Sequence, residues 1–200
     1  MALGVERGAS AGGLGMLAAT ALLAGCTADA DPQPTADPTT ASAAPSPTAA
    51  EGPEAEKPVP PDAMRRDDVA GAEAAAQYFL QLYPYVYATG DLTEWKAMSH
   101  PECVFCAGVV ESVAALYGSG GHAVGGEMSV EKIVSRPPRE GNDYFRVDIR
   151  AREAPSKSFA GTSLVDEHQG GVNVIVFAVG RDGDGWRIRE GQVEDETFSK

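Results

Sequence analysis

Basic residues are scarce in this chain: 16 lysines and arginines stand against 29 aspartates and glutamates, a formal charge of −13. No stretch is rich in lysine or arginine, and a field of that sign repels phosphate backbones, which excludes general nucleic-acid binding. Long apolar runs are lacking too. The run near the start, Leu14 to Leu23, has ten residues, too few to cross a hydrocarbon layer of about 30 Å. Cysteine is limited to Cys26, Cys103 and Cys106, and histidine to His100, His122 and His168. With no phosphate-binding glycine loop, nucleophile motif or metal-ligand cluster in the sequence, neither a cofactor nor a metal is expected.

The short apolar run has the length of a signal-peptide core, and it leads into Leu23-Ala24-Gly25-Cys26. Small residues at the two positions before a cysteine form a bacterial lipobox. Residues 1–25 are therefore expected to be removed as a lipoprotein signal peptide and Cys26 to carry lipid. Each buried CH₂ of such chains contributes about 0.8 kcal/mol of membrane affinity, so two or more chains hold a protein to the outer face of the cell membrane. Nine of the 14 prolines fall between Cys26 and residue 62, among Ala, Thr, Ser, Asp and Glu. Such a segment cannot offset the entropy of ordering, and residues 26–62 are expected to be a disordered tether.

From Asp67 onward, Val69, Ala72, Ala76, Phe79, Tyr83 and Val86 recur at three- and four-residue steps, predicting a first helix. Asp67 or Asp68 caps it, Gly90 ends it, and Pro84 is expected to kink it. A short helix follows around residues 92–98. The spacing Ser99-His100-Pro101-Glu102 reads as a capping box for a third helix reaching Tyr117, with Val109, Val113 and Leu116 inward. Then the period becomes two. Residues 128–134, 145–151, 172–179 and 186–193 predict four antiparallel strands, the third apolar on both faces and hence central. Helices packed on a curved antiparallel sheet of about four strands give an α+β class, one domain over residues 63–196. Whether residues 154–170 form a loop or add a strand stays open at this stage.

With Cys26 lipidated, Cys103 and Cys106 remain as an even pair in an oxidising compartment, which points to a disulfide. Helical residues three apart hold their Cβ atoms about 5–6 Å apart, more than a disulfide allows, so the bond requires a distorted first turn. A redox role would need a low-pKa thiolate at a helix start, yet thioredoxin-like motifs follow a strand and none precedes here. A zinc site would add His100 and His122, at no metal-like spacing.

The order of lipobox, Thr/Pro tether, helix with Tyr87-Ala88-Thr89-Gly90-Asp91, Ser99-x-Pro101-x-Cys103-x-x-Cys106 and Gly-Gly before strands resembles an actinobacterial lipoprotein family known only as a domain of unknown function. That resemblance covers most of residues 65–195. It implies a cone-shaped fold similar to nuclear transport factor 2 and no catalytic residue.

Two functions are compatible with these residues. A non-catalytic binding or scaffolding module of the cell envelope would engage an envelope polymer or protein partner. Arg146, Arg150 and Arg152 on one strand, with Arg187 and Arg189 on the last, make a candidate anion-binding face, although Asp148, Glu153 and Glu190 are at hand to neutralise it. A small isomerase- or hydrolase-like enzyme would instead use a polar pocket, for which Tyr83, Tyr87, Asp91 and His100 are the candidates, with Tyr85, His122 and His168 as weaker ones. A polar pocket joining a histidine or aspartate to Tyr83 or Tyr87 favours the enzyme. A dry, filled cone favours binding.

Overall fold

The computed structural model describes residues 55–183 and 185–194. The leader, Cys26 and most of the expected tether lie outside them, as do residues 195 and 196.

Three helices come first: α1 (Val69–Thr89), α2 (Thr93–Met98) and α3 (Val104–Gly118). Asp68 caps α1, its carboxylate accepting the Gly71 N–H at 3.2 Å. Gly90 ends it in the left-handed region at φ 72°, where an L side chain is disfavoured. Pro84 sits inside α1, which continues past it as a single helix to Thr89. The expected capping box does not form. Cys103 occupies the N-cap of α3 instead, with its sulfur accepting the Cys106 N–H at 3.1 Å. Ser99 turns back to donate to the Trp95 carbonyl at 2.7 Å.

Seven strands follow among the described residues: β1 (Gly121–Gly125), β2 (Met128–Arg136), β3 (Phe145–Glu153), β4 (Ser156–Ala160), β5 (Ser163–His168), β6 (Gly171–Asp182) and β7 (Gly185–Glu194). The four expected strands are β2, β3, β6 and β7, and they pair antiparallel in that order with β6 interior. The fold is thus α+β. The expectation of one sheet needs correction, because residues 154–170 supply β4 and β5, which join β1 in a second antiparallel sheet of order β1-β4-β5.

One core is shared by all three helices and the larger sheet. Ala72, Ala75, Phe79, Leu82 and Val86 of α1 meet Val147 and Ile149 of β3, Phe177 and Val179 of β6, and Ile188 of β7. Small alanines let α1 approach closely, and Phe79 stacks on Trp95 of α2 at 3.9 Å between ring centres. Burying side chains of the Val, Leu, Ile and Phe type stabilises by about 1.5–3 kcal/mol each, an upper bound for an extended unfolded reference. Both indoles carry their polar edge into the protein without penalty: Trp95 Nε1 donates to the Cys106 carbonyl at 3.1 Å, and Trp186 Nε1 to the Met64 carbonyl at 2.8 Å.

That second bond ties down the first residues of the expected domain. Met64 belongs to a 3-10 turn, Asp62–Arg65, packed against α1. Ahead of it, Lys57 pairs with Glu94 at 3.4 Å. Residues 55–62, counted with the tether on composition, therefore lie along the domain, held by contacts that composition does not encode.

Candidate functional site

The chain passes between its two sheets at three places, and these lie side by side. At the β1–β2 passage, Gly125 and Gly126 both take positive φ, near 80°, and a Cβ on Gly125 would stand 2.2 Å from the Pro155 carbonyl oxygen. At the β3–β4 passage, Ala154 donates to Glu127 O at 3.0 Å while Pro155 O accepts from Gly126 N at 3.2 Å. At the β5–β6 passage, Gly170 takes φ 72° with its Cα against the Glu153 carbonyl. Only glycine fits where backbones cross this closely in the left-handed region. The seam holds Glu153, the last residue of β3, beside His168, the last of β5.

Above the seam lies a cavity of about 330 Å³. Tyr83 and Tyr87 of α1 line it together with Glu153 of β3, Ser156 and Ser158 of β4, and Asp166 and His168 of β5. The two tyrosine rings are tilted by 51° with centres 5.0 Å apart. Burial, reinforced by Tyr87 and by the charge of Glu153, pushes the Tyr83 phenol well above its ordinary range, so it stays a neutral donor. The Glu153 side chain is 15% exposed; one oxygen accepts from Asn173 Nδ2 at 3.1 Å and the other lies 3.9 Å from His168 Nδ1. That nitrogen accepts the Gly170 N–H at 3.1 Å, which places the proton of a neutral His168 on Nε2.

Behind Tyr83 and Glu153 a second cavity, of about 240 Å³, runs into apolar surroundings: Leu80, Phe105, Ile175, Phe177 and Val193. A third, of about 600 Å³, lies under residues 55–59 against Gln81, Pro84, Tyr85 and Ala88. Two of its polar groups are already engaged, Lys57 with Glu94 and the Tyr85 hydroxyl with Asp91 at 3.0 Å.

The structure brings together only part of the expected pocket. Tyr83 and Tyr87 share the polar cavity, whereas the Asp91 carboxylate lies just ahead of α2, accepting the Thr93 N–H at 3.0 Å. His100 sits in the α2–α3 connection, where its amide donates to Ile188 O at 2.9 Å and its ring accepts from Glu102 N at 3.3 Å. His122 lies in β1 and His168 in β5, and His122 stacks on Phe159 at 5.1 Å. Glu153 and Asp166 were not singled out as pocket residues. Glu153 ends a regularly alternating strand, and nothing local marks it as turned toward a cavity.

The five arginines of the candidate anion-binding face each hold a carboxylate. Arg146 meets Asp148 at 2.6 Å, Arg150 and Arg152 meet Glu131 at 3.2 and 2.8 Å, Arg187 meets Asp182 at 3.7 Å, and Arg189 meets Asp143 at 3.2 Å. Asp148, itself 2% exposed, also holds Arg136 at 3.0 Å. Their surface is a set of ion pairs rather than an open cationic patch.

Cys103 and Cys106 form a disulfide with Cα atoms 5.2 Å apart, across the first turn of α3. Both are buried, and the Glu190 carboxylate lies 3.9 Å from the Cys103 sulfur. A negative group at that distance opposes a thiolate, the reverse of what a redox motif requires. With both sulfurs bonded, neither is available to zinc.

A family model described as a family of unknown function, DUF6318, matches residues 45–192. No curated protein matches the chain. Among solved structures the chain is similar to the crystal structure of the intermembrane space region of chloroplast protein ARC6, at 13% identity and a TM-score of 0.47, covering 64% of this chain and 97% of that one.

Proposed function

The chain belongs to DUF6318, a family of unknown function, and for this member we propose a lipid-anchored, extracytoplasmic binding module of the cell envelope. The anchor reading is supported by the apolar run and by Leu23-Ala24-Gly25-Cys26. A cone of the nuclear-transport-factor-2-like kind is the finer fold reading; its support is that α1 packs on strands of both sheets. Binding is carried by one observation, the convergence of two phenols, two carboxylates, a histidine and two serine hydroxyls on the cavity above the seam. Concave sites with a few convergent polar groups beside apolar walls are the usual form of a small-ligand site. Its ligand is a small molecule rich in donors or carrying positive charge, because the cavity presents acceptors and neutral phenols rather than fixed cations.

A second reading, a proton-transfer enzyme, draws on the same cavity, since His168 and Asp166 face Tyr83 and Tyr87 there. Binding is preferred because, among the described residues, no serine or tyrosine hydroxyl is hydrogen-bonded to a histidine, and the His168 ring bonds a backbone amide instead.

Two measurements test the proposal. Intact mass of the membrane-extracted protein should show a lipid adduct on Cys26; an unmodified Cys26 removes the anchor. NMR titration of the full chain with neutral saccharides, amines and carboxylates should shift Tyr83, Tyr87 and His168 for at least one class, with Glu153→Gln weakening that response. Shifts confined to Arg146, Arg150 and Arg187 would move the binding function to the ion-paired face.

A further inference from the structure

We propose that the polar cavity and the apolar cavity behind it form one site for a short alkylammonium ligand, its cation on Glu153 beside the Tyr83–Tyr87 pair and its chain beside Phe105 and Ile175. This rests on the binding-module reading above and narrows it to one class of ligand.

The two cavities share Tyr83 and Glu153 as a common wall. On the sheet and beside it, Asp148 meets two arginines, Glu131 two and Glu94 a lysine, while Glu190 is satisfied by three backbone N–H groups. Glu153 is less exposed than Glu131 or Glu94, yet it meets neither lysine nor arginine among the described residues. Its hydrogen bond from Asn173 is neutral, and the Gly170 N–H occupies the His168 nitrogen that faces it. A half-buried carboxylate without a cation is costly, and an incoming ammonium relieves that cost. Asp166 on the far wall adds a second negative group, so a carboxylate or phosphate ligand is repelled.

The tyrosines supply the remaining half of a cation site. An ammonium beside a phenol face gains attraction from the ring quadrupole, more so where water is excluded. Tyr83 and Tyr87, tilted to each other, present an angled aromatic wall next to Glu153. Past Glu153 the surface turns apolar, with Leu80, Phe105, Ile175, Phe177 and Val193. A cation alone engages only the first cavity and leaves the second unused. A chain attached to it uses both.

Titration calorimetry of the full-length chain with butylammonium, hexylammonium, hexanol and hexanoate separates these terms. Hexylammonium should bind about tenfold more tightly than butylammonium, as expected for two further buried CH₂ groups, and about tenfold more tightly than hexanol; hexanoate should not bind. Glu153→Gln should lose the preference of amine over alcohol. Val193→Phe, at an exposed position that perturbs folding little, should lose the dependence on chain length. Hexanol binding as tightly as hexylammonium, or Glu153→Gln leaving that preference intact, overturns the alkylammonium site; tight, length-independent binding of both amines overturns its apolar half. In those cases NMR shifts at Tyr83 and Tyr87 with any neutral probe would leave the binding-module reading standing. Absence of shifts with every probe would remove both.

Discussion

The carboxylate of Glu190 on β7 accepts the backbone N–H of Phe105 at 3.1 Å, and its other oxygen accepts that of Val104 at 3.2 Å. Two of the orphan donors at the start of α3 are thus satisfied by a residue 86 positions further along the chain. Gly191 next to it makes the approach possible, since a Cβ there would stand 2.6 Å from the Phe105 ring. Charge-assisted caps of this kind contribute about 1.5–3 kcal/mol. Glu190→Ala should lower unfolding free energy by about 2 kcal/mol and Glu190→Gln by less, read from urea denaturation. A Glu190→Ala protein as stable as wild type would show that α3 needs no cap from β7.

The disulfide acts on the same turn. In the chain-entropy account, closing a loop this short stabilises by roughly 2 kcal/mol. Cys103→Ser with Cys106→Ser should therefore destabilise by about that amount while leaving the proposed ligand binding in the seam cavity unchanged. Because both sulfurs are buried, alkylation should require denaturant and reductant together. Labelling of the native protein without reductant would mean that the thiols are free.

Asp148 tests the ion-paired face. It is 2% exposed and faces Arg136 and Arg146, whose side chains are 37% and 36% exposed. Removing one partner of a buried pair costs about 3–5 kcal/mol, and partial exposure of both arginines reduces this, so Asp148→Ala should cost about 2 kcal/mol. Arg146→Gln should cost less than half of that, because Arg136 remains. Equal losses in the two variants would contradict this division.

Tyr78 is fully buried, and its hydroxyl finds no hydrogen-bond partner among the described residues. Tyr78→Phe should leave thermal stability at neutral pH unchanged or slightly raised, since an unsatisfied group is removed with little change of shape. Burial first, then the charge of Glu94 and the neighbouring Tyr85, push its phenol up to about 12. A phenol raised in the folded state holds its proton more tightly than in the unfolded chain. Its contribution is complete below about pH 10 and is lost as pH rises through about 12. Tyr78→Phe should flatten that alkaline fall; an unchanged slope would assign it to other groups.

Helices and the larger sheet were legible because burial repeats along them. Phe79, Tyr83 and Val86 mark the helical face of α1, and Val147, Ile149 and Ala151 alternate with charged residues on β3. The smaller sheet carried no such signal. Every residue of β5 is exposed, so no alternation marks it, and β1 is five residues with glycine at both ends. The site suffered the same loss. Tyr83 and Tyr87 share one helix and were found together, whereas Glu153 and His168 meet them only through the seam, which depends on pairing β1 with β4 across more than thirty residues. Glu102 had the right spacing for a cap but yielded to Glu190, which no local pattern could indicate.

The walls of the cavity differ in what they rest on. Tyr83 and Tyr87 stand on a helix whose opposite face is anchored in the core, so substitutions near them disturb the whole fold. Asp166 and His168 stand on an edge strand with no buried side chain, where substitutions cost little stability. Backbone amides of β5 should accordingly exchange with solvent far sooner than those of β6. The outer wall can therefore be altered at little cost to the fold, whereas the aromatic wall cannot.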